Sequence, residues 1–387
     1  MQAFQLSARQ ISKIIVGVVV DELGARFRRY TDFLTATSWS EETALAAGGM
    51  DLKPEERAHC AGAIESFFGA EGRLEGGAAG ETVEAWADLI GAAIRRKFGR
   101  LRFKPAGRAG DSPLADHAVA DVFRDAAAAA NLLHGRRRIV SLVAPQGFIG
   151  FATTVLAPNL LRIESLDARG KALDEVGAAL NFGDALVATP TIWRYLIGEG
   201  LRAPDNSIGV VFGESLTAEL GAEMRKAGFG AIRELYGSTE SGLVAWRDTL
   251  SEPFTLFEHW KRDGDELARV TPAGEMRRPS MDTLEWINDR SFRLGLRRDG
   301  AVQIGAINVF PERIAAIVKQ HASVESCTIR VTRQASGANR LVAHIQLKRG
   351  QTPNERAARD IDAWCRTQLR PPERPRIYNF EERIEGE

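Results

Sequence analysis

The sequence predicts an α/β protein in which a large N-terminal domain of mixed sheets flanked by helices precedes a small C-terminal α+β lid domain. Three observations carry that expectation. At 387 residues the chain exceeds one ordinary core, so two or three domains are expected. From Leu101 onward, short apolar β-rich runs alternate with helical stretches, the pattern of a βα-type sheet buried on both faces. After Asp299-Gly300 the pattern changes to alternating strands and helices that suffice for a compact, lid-sized unit.

The first hundred residues read as helices. Apolar residues spaced at three and four run from Ser7 to about Arg29, through a segment opened by Asp51 and Pro54, and from Glu81 to Phe98. The glycines of Gly69-Ala70-Glu71-Gly72, Gly76-Gly77 and Gly80 form a loop between the last two. Residues 1–100 are expected to pack on the main domain, which spans 101–298. There the apolar runs Ile139–Val143, Ala185–Ala188 and Ile208–Phe212 read as strands. The segments Ala144-Pro145-Gln146-Gly147, Thr189-Pro190-Thr191, Gly213-Glu214-Ser215 and Tyr236-Gly237-Ser238-Thr239 follow or lie near predicted strands. Ligands in such folds sit at the carboxyl ends of strands, so the four are expected to share one rim. In the C-terminal domain, 299–387, Phe310-Pro311-Glu312 opens a helix, Ser326–Val331 and Leu341–Leu347 alternate as strands, and Asn354–Leu369 is a helix stopped by Pro371-Pro372.

Composition removes several function classes. Fifty-one basic residues balance 51 acidic ones, so net charge points to neither nucleic acid nor membrane as a general partner. The three cysteines, Cys60, Cys327 and Cys365, have no metal-like spacing and fit a reducing cytoplasm. The apolar run Ile14–Val20 is too short to span a bilayer and lacks the flanks of a secretory signal.

The most informative string is Glu234-Leu235-Tyr236-Gly237-Ser238-Thr239-Glu240-Ser241-Gly242. It reads as a polar, glycine-bearing turn beside a short apolar strand. An aromatic face, hydroxyls and a carboxylate in this order suit a nucleotide. Tyr236 would stack on adenine, Ser238 or Thr239 would bond a phosphate, and Glu240 would hold a magnesium ion by oxygen. The plain alternative is a loop rim that caps a strand.

In order and spacing these loops resemble the adenylate-forming superfamily of acyl-CoA synthetases, luciferases and peptide-synthetase adenylation domains, over roughly residues 101 to 385. The resemblance implies that Tyr236 stacks on adenine, Thr239 meets phosphate and Glu240 meets Mg2+, with Gly237 and Ser238 in the same loop. It implies that Gly213 and Glu214 line the other face of adenine and reach toward the acyl pocket, which Gln146, Gly147, Phe148 and Gly237 would shape. Ser280-Met281-Asp282 stands where the family has Thr-Gly-Asp, so Asp282 would accept the ribose hydroxyls. Leu296-Arg297-Arg298-Asp299-Gly300 resembles the hinge motif, which gives Arg297 to ribose or phosphate and Asp299 to a domain swivel. Gly305 to Glu312 is similar to the stretch beside the pantetheine path. Read alone, Asp282 is a surface turn residue, Arg297 a solvated charge, Phe148 and Trp193 core, and His117 polar scaffolding.

Two segments depart from the family. Its phosphate loop is rich in Ser, Thr and Gly and ends in lysine, whereas the aligned Pro105–Pro113 keeps Gly107 and Gly110 and loses the lysine and most hydroxyls. Backbone amides there would still cradle phosphate, and Arg108 between the glycines would supply positive charge, although its planar fork is not an ammonium. A plain turn is the other reading. The family's C-terminal Gly-Lys also has no counterpart, since Glu385-Gly386-Glu387 stands there without a lysine nearby. Losing a charge aimed at developing negative charge commonly costs ~10²–10³ in rate. Adenylation is therefore expected to be slow, helped by another group, or missing.

Within the superfamily, Arg102–Arg108, Leu284–Ile287 and Arg298–Gly305 resemble the short bacterial 4-coumarate-CoA ligases associated with photoactive yellow protein. The implied function is a ligase that takes ATP, Mg2+ and an aromatic carboxylic acid to acyl-AMP, and then passes the acyl group to CoA. Two alternatives stand beside it. One is an impaired pseudoenzyme that binds aryl acid or nucleotide, and the other is an aryl-acid AMP ligase that loads a carrier protein. A carrier or chromophore-accepting protein is among the implied partners. Dimerisation through the N-terminal helices is a further expectation.

Overall fold

The structure, a computed structural model, describes residues 6–74, 80–105, 113–248, 251–271, 274–298, 300–304, 307–334 and 339–382. It divides into two compact units. One is built from Met1–Pro105, Ala109–Arg278 and Ile287–Ser291, the other chiefly from Pro279–Trp286 and Phe292–Glu387. Among the described residues no helix is long and apolar enough to cross a membrane.

The larger unit opens with helices whose ends the sequence specifies chemically. Ser7 caps Ala8–Arg26 through a reciprocal pair of bonds with Gln10, which satisfies two otherwise orphaned N–H groups. That helix buries Ile11, Ile14, Ile15, Val18, Val19 and Leu23 against Pro54–Phe68 and Val83–Arg96. Pro54 occupies the first turn of its helix, where a missing N–H is harmless, and Gly69 closes it at φ 61°. Thr82 caps Val83–Arg96 by accepting the Ala85 N–H. The short helix Phe33–Ser38, capped by Asp32, was not anticipated.

A run of seven strands follows in the order Glu164–Asp167, Arg138–Ser141, Ala185–Ala188, Ile208–Val211, Ala231–Ser238, Gly242–Arg247 and Phe254–Leu256. The first five are parallel and the last two antiparallel. Helices Leu173–Ala179, Pro190–Gly198 and Ala218–Lys226 make the crossovers that parallel pairing requires. Trp193, Leu220 and Met224 bury one face of Leu186, Ala188 and Val211. Between Phe148–Gly150 and Ala157–Leu161 the helix widens to a π-helix over Phe151–Leu156, where the Thr153 and Thr154 hydroxyls donate to the Ile149 and Gly150 carbonyls at 2.6 and 2.8 Å.

The smaller unit holds a sheet of Val324–Arg333 antiparallel to Asn339–Leu347, with Ile377–Phe380 parallel to the latter. Helices Pro311–Val318 and Glu355–Gln368 cover it through Ile314, Val318, Ile361 and Cys365, all fully buried. The two strands and two helices expected here are present. The neighbouring strands Asp282–Asn288 and Ser291–Arg297, and the pair Val302–Ile304 with Ile307–Val309, add short hairpins.

Candidate active site

The parallel strands Arg138–Ser141, Ala185–Ala188, Ile208–Val211 and Ala231–Ser238 are consecutive neighbours, so the segments at their carboxyl ends line one edge, as expected from their order in the sequence. The strand order also reverses around Arg138–Ser141, the position where such sheets open a crevice.

Strand Ala231–Ser238 turns through Thr239–Ser241 into Gly242–Arg247, with a register shift between Tyr236 and Gly237. Ser238 and Ser241 tie the turn to itself. The Ser238 N–H donates to the Ser241 hydroxyl at 3.1 Å, the Ser241 N–H donates to the Ser238 hydroxyl at 3.1 Å, and the hydroxyls stand 3.0 Å apart. Ser238 is thereby engaged within the turn. The Thr239 hydroxyl and the Glu240 carboxylate, both half-buried, have no hydrogen-bond or ion-pair partner among the described residues. Tyr236 lies with its ring 5.6 Å from that of Phe254.

Buried polar residues hold this turn from beneath. His117 Nε2 donates to the Thr239 carbonyl at 2.7 Å, while its ring packs on Phe148 and Phe103 at 4.7 and 5.9 Å between centroids. Burial holds His117 below its ordinary imidazole value against the opposing pull of the Thr239 carbonyl, so the ring is neutral near pH 7. Arg269, on strand Glu266–Thr271, donates to the Ser241 carbonyl at 3.0 Å and pairs with Asp125 at 2.7 Å. Asp125 in turn accepts the Leu243 N–H at 3.1 Å. His259 Nε2 lies 2.7 Å from Asp125 Oδ1 but is not aligned to hydrogen-bond it. His117 was anticipated as scaffolding; Asp125, Arg269 and His259 were missed. A charge in the alanine-rich helix Val119–Leu132, at a position on its buried face, was the available signal.

Glu234 joins this hairpin to the neighbouring loop. It accepts the Leu216 N–H at 3.1 Å and pairs with Arg247 at 2.7 Å, and burial pushes its carboxyl up against the opposing charge of Arg247. Gly213, at φ 91°, adopts the left-handed conformation that glycine tolerates best. Glu214 is engaged within the rim, accepting the Thr191 N–H at 3.2 Å with Arg194 at 3.6 Å.

Of the residues expected at the acyl pocket, Gln146 and Phe148 are buried, Gly237 is half-buried and Gly147 is exposed. The Gln146 amide donates to Asp21 of the N-terminal helix at 2.8 Å, and a Cβ on Gly17 would come within 2.1 Å of its oxygen. Phe148 is 2% exposed, between Phe103 and His117, and Gly147 precedes it at the helix start.

In the smaller unit, the Arg298 N–H donates to the Met281 carbonyl at 2.8 Å and the Thr283 hydroxyl to the Leu296 carbonyl at 3.1 Å. These bonds set Asp282 and Arg297 side by side at the open end of their hairpin. Gly107, Arg108 and Gly110, expected as a phosphate loop, and Asp299, Gly305 and Gly386 lie outside the described residues. No group of three or more His, Cys, Asp or Glu able to hold a metal lies among the described residues.

No family model matches the chain. A 4-coumarate–CoA ligase of Halorhodospira halophila is 29% identical over 385 residues, covering 96% of this chain and 95% of that protein. Among solved structures, the amide bond synthetase McbA of Marinactinospora thermotolerans superposes with a TM-score of 0.59 at 14% identity, covering 97% of this chain and 90% of that one. The o-succinylbenzoate CoA synthetase of Bacillus subtilis superposes at 0.58 with 15% identity, covering 70% of this chain and 64% of that one.

Proposed function

We propose that this chain, an acid–thiol ligase of the adenylate-forming superfamily, activates an aryl or cinnamic acid, with 4-coumarate the best-supported substrate, through acyl-AMP to the CoA thioester. In the first half-reaction an acid oxygen attacks the α-phosphorus of ATP and pyrophosphate leaves. In the second the thiolate of CoA attacks the acyl carbonyl and AMP leaves. The observation that carries the reading is the turn Tyr236–Gly242, which leaves the Thr239 hydroxyl and Glu240 carboxylate without a partner among the described residues on a main chain held from beneath.

The Glu240 carboxylate, a hard oxygen ligand, fits Mg2+, which ordinarily binds one or two carboxylates together with substrate phosphates. When bound, the ion offsets the negative charge of the phosphates. Glu240 would hold it, Thr239 would donate to a phosphate oxygen, and Tyr236 would offer its face to adenine. Asp282 is assigned to the ribose hydroxyls and Arg297 to ribose or phosphate, with Gly213 and Glu214 beside adenine. The protein's own contribution is positioning and electrostatics, since neither half-reaction needs a covalent protein intermediate. Asp299-Gly300 is the proposed pivot of the small domain.

The test is ATP–pyrophosphate exchange with a panel of cinnamic and benzoic acids. Exchange that depends on a cinnamic acid supports the reading. Nucleotide or aryl-acid binding without exchange for any acid would replace it with a binding protein.

A further inference from the structure

Glu240 sits between two residues whose carbonyl oxygens are both held by buried side chains. The Thr239 carbonyl accepts from His117, which is 6% exposed, and the Ser241 carbonyl accepts from Arg269, which is 3% exposed. Asp125, fully buried, neutralises Arg269 and accepts the Leu243 N–H, so the main chain is fixed on both sides of the carboxylate. Gly242 completes the arrangement at φ 85°. A Cβ there would lie 2.3 Å from Asp125 Oδ2, 2.9 Å from Arg269 Nη1 and 3.0 Å from Phe148 Cζ.

The hairpin does not need this apparatus to close, because the reciprocal Ser238–Ser241 bonds already join its ends. Burying an ion pair costs several kcal/mol in desolvation per ion, and such a pair is weak evidence for stability. What it secures here is one conformation of the backbone that carries Glu240. Trp260 supports it from the other side, with its N–H on the Leu243 carbonyl at 2.7 Å and its ring 5.4 Å from the Arg269 guanidinium.

We propose that His117 and the Asp125–Arg269 pair are positioning residues for the first half-reaction, holding the main chain on either side of Glu240 so that its carboxylate is presented in the orientation a nucleotide-bound divalent cation requires. The inference rests on the ligase reading for its catalytic consequence, and on the hydrogen bonds alone for its mechanical one. The second half-reaction, in which pyrophosphate has left, does not depend on that orientation.

The test compares wild type with His117→Phe, which fills the ring's place between Phe103 and Phe148 without a donor, and His117→Gln, which restores an amide donor near the Nε2 position. Two readouts are taken on the full-length protein: hydrogen exchange of the peptide spanning residues 236–246, and the rates of the two half-reactions, adenylation by pyrophosphate exchange and thioester formation from supplied acyl-adenylate. The expected result is faster exchange in the turn, about tenfold slower adenylation with a raised Mg2+ requirement, unchanged thioester formation in His117→Phe, and substantial recovery in His117→Gln. Equal slowing of both half-reactions would make His117 merely structural and overturn the proposal. Unchanged hydrogen exchange and rates would remove the clamp itself. A wild type that forms no adenylate with any acid would sink the ligase reading and the clamp's catalytic role together, and the hydrogen-exchange result would still report whether the clamp exists.

Discussion

Gly237 faces the carbonyl of Gly242 so closely that a Cβ built on it would lie 2.1 Å from that oxygen. The two glycines let the strands on either side of Thr239–Ser241 approach at the register shift, and the contact is backbone to backbone, so no rotamer change relieves it. Gly237→Ala is expected to destabilise the protein by about 1–3 kcal/mol, the usual cost of overpacking. Gly242→Ala should cost more, because it adds a positive φ to the clash with Asp125. Denaturant melts measure both. A Gly242→Ala protein as stable as wild type would show that the turn is not built this tightly.

Glu240→Gln should abolish Mg2+-dependent turnover while leaving the melting temperature within a few degrees, since the carboxylate makes no bond among the described residues. Asp282→Ala should weaken ATP binding. Steady-state kinetics and calorimetric titration with ATP check the pair, and full ligase activity in both variants would mean that the site has been misplaced.

Glu234 links the Gly213–Leu216 loop to the hairpin, and its partner Arg247 lies 4.4 Å over the ring of Phe254, beside Tyr236. Glu234→Ala removes the carboxylate that Arg247 pairs with where Arg247 is 14% exposed, a loss of about 3–5 kcal/mol for a broken buried pair. Glu234→Gln keeps an acceptor for the Leu216 N–H and should lose less. Urea unfolding ranks the two, and the opposite order would contradict the assignment.

Glu373, 1% exposed, pairs with Arg313 at 2.7 Å and Arg370 at 3.0 Å in the smaller unit. Burial pushes its carboxyl up, but the Arg370 bond and the charges of both arginines outweigh this and hold it below its ordinary value. A lowered folded-state value means that its stabilising contribution is complete above the ordinary glutamate value of about 4.3 and is lost as pH falls through the folded value. Circular dichroism melts across pH 6 to 3 should therefore show stability falling at the acid end, with a shallower fall in Glu373→Gln. Equal slopes in the two proteins would contradict this.

How much of this was legible in the sequence follows from the range of each interaction. The strands Arg138–Ser141, Ala185–Ala188 and Ile208–Val211 and the helix Glu355–Gln368 were readable because periodicity and caps are local signals. The Tyr236–Gly242 turn was readable because its hydroxyls, carboxylate and glycines are consecutive. The Asp125–Arg269 pair was not, since its members stand 144 residues apart and the place of Asp125 on the apolar face of its helix does not name Arg269 as the partner. Gln146 was assigned to shaping the acyl pocket; its amide also meets Asp21, 125 residues away, a contact that periodicity does not encode. That Asp282 and Arg297 lie on neighbouring strands depended on a hairpin whose two strands were not foreseen as partners.

The most direct test of the central claim is a mass-spectrometric assay of the purified protein with ATP, Mg2+, CoA and a panel of cinnamic and benzoic acids, following AMP and acyl-CoA together. The account predicts 4-coumaroyl-CoA and AMP in equal amounts. Neither product with any acid in the panel would contradict it.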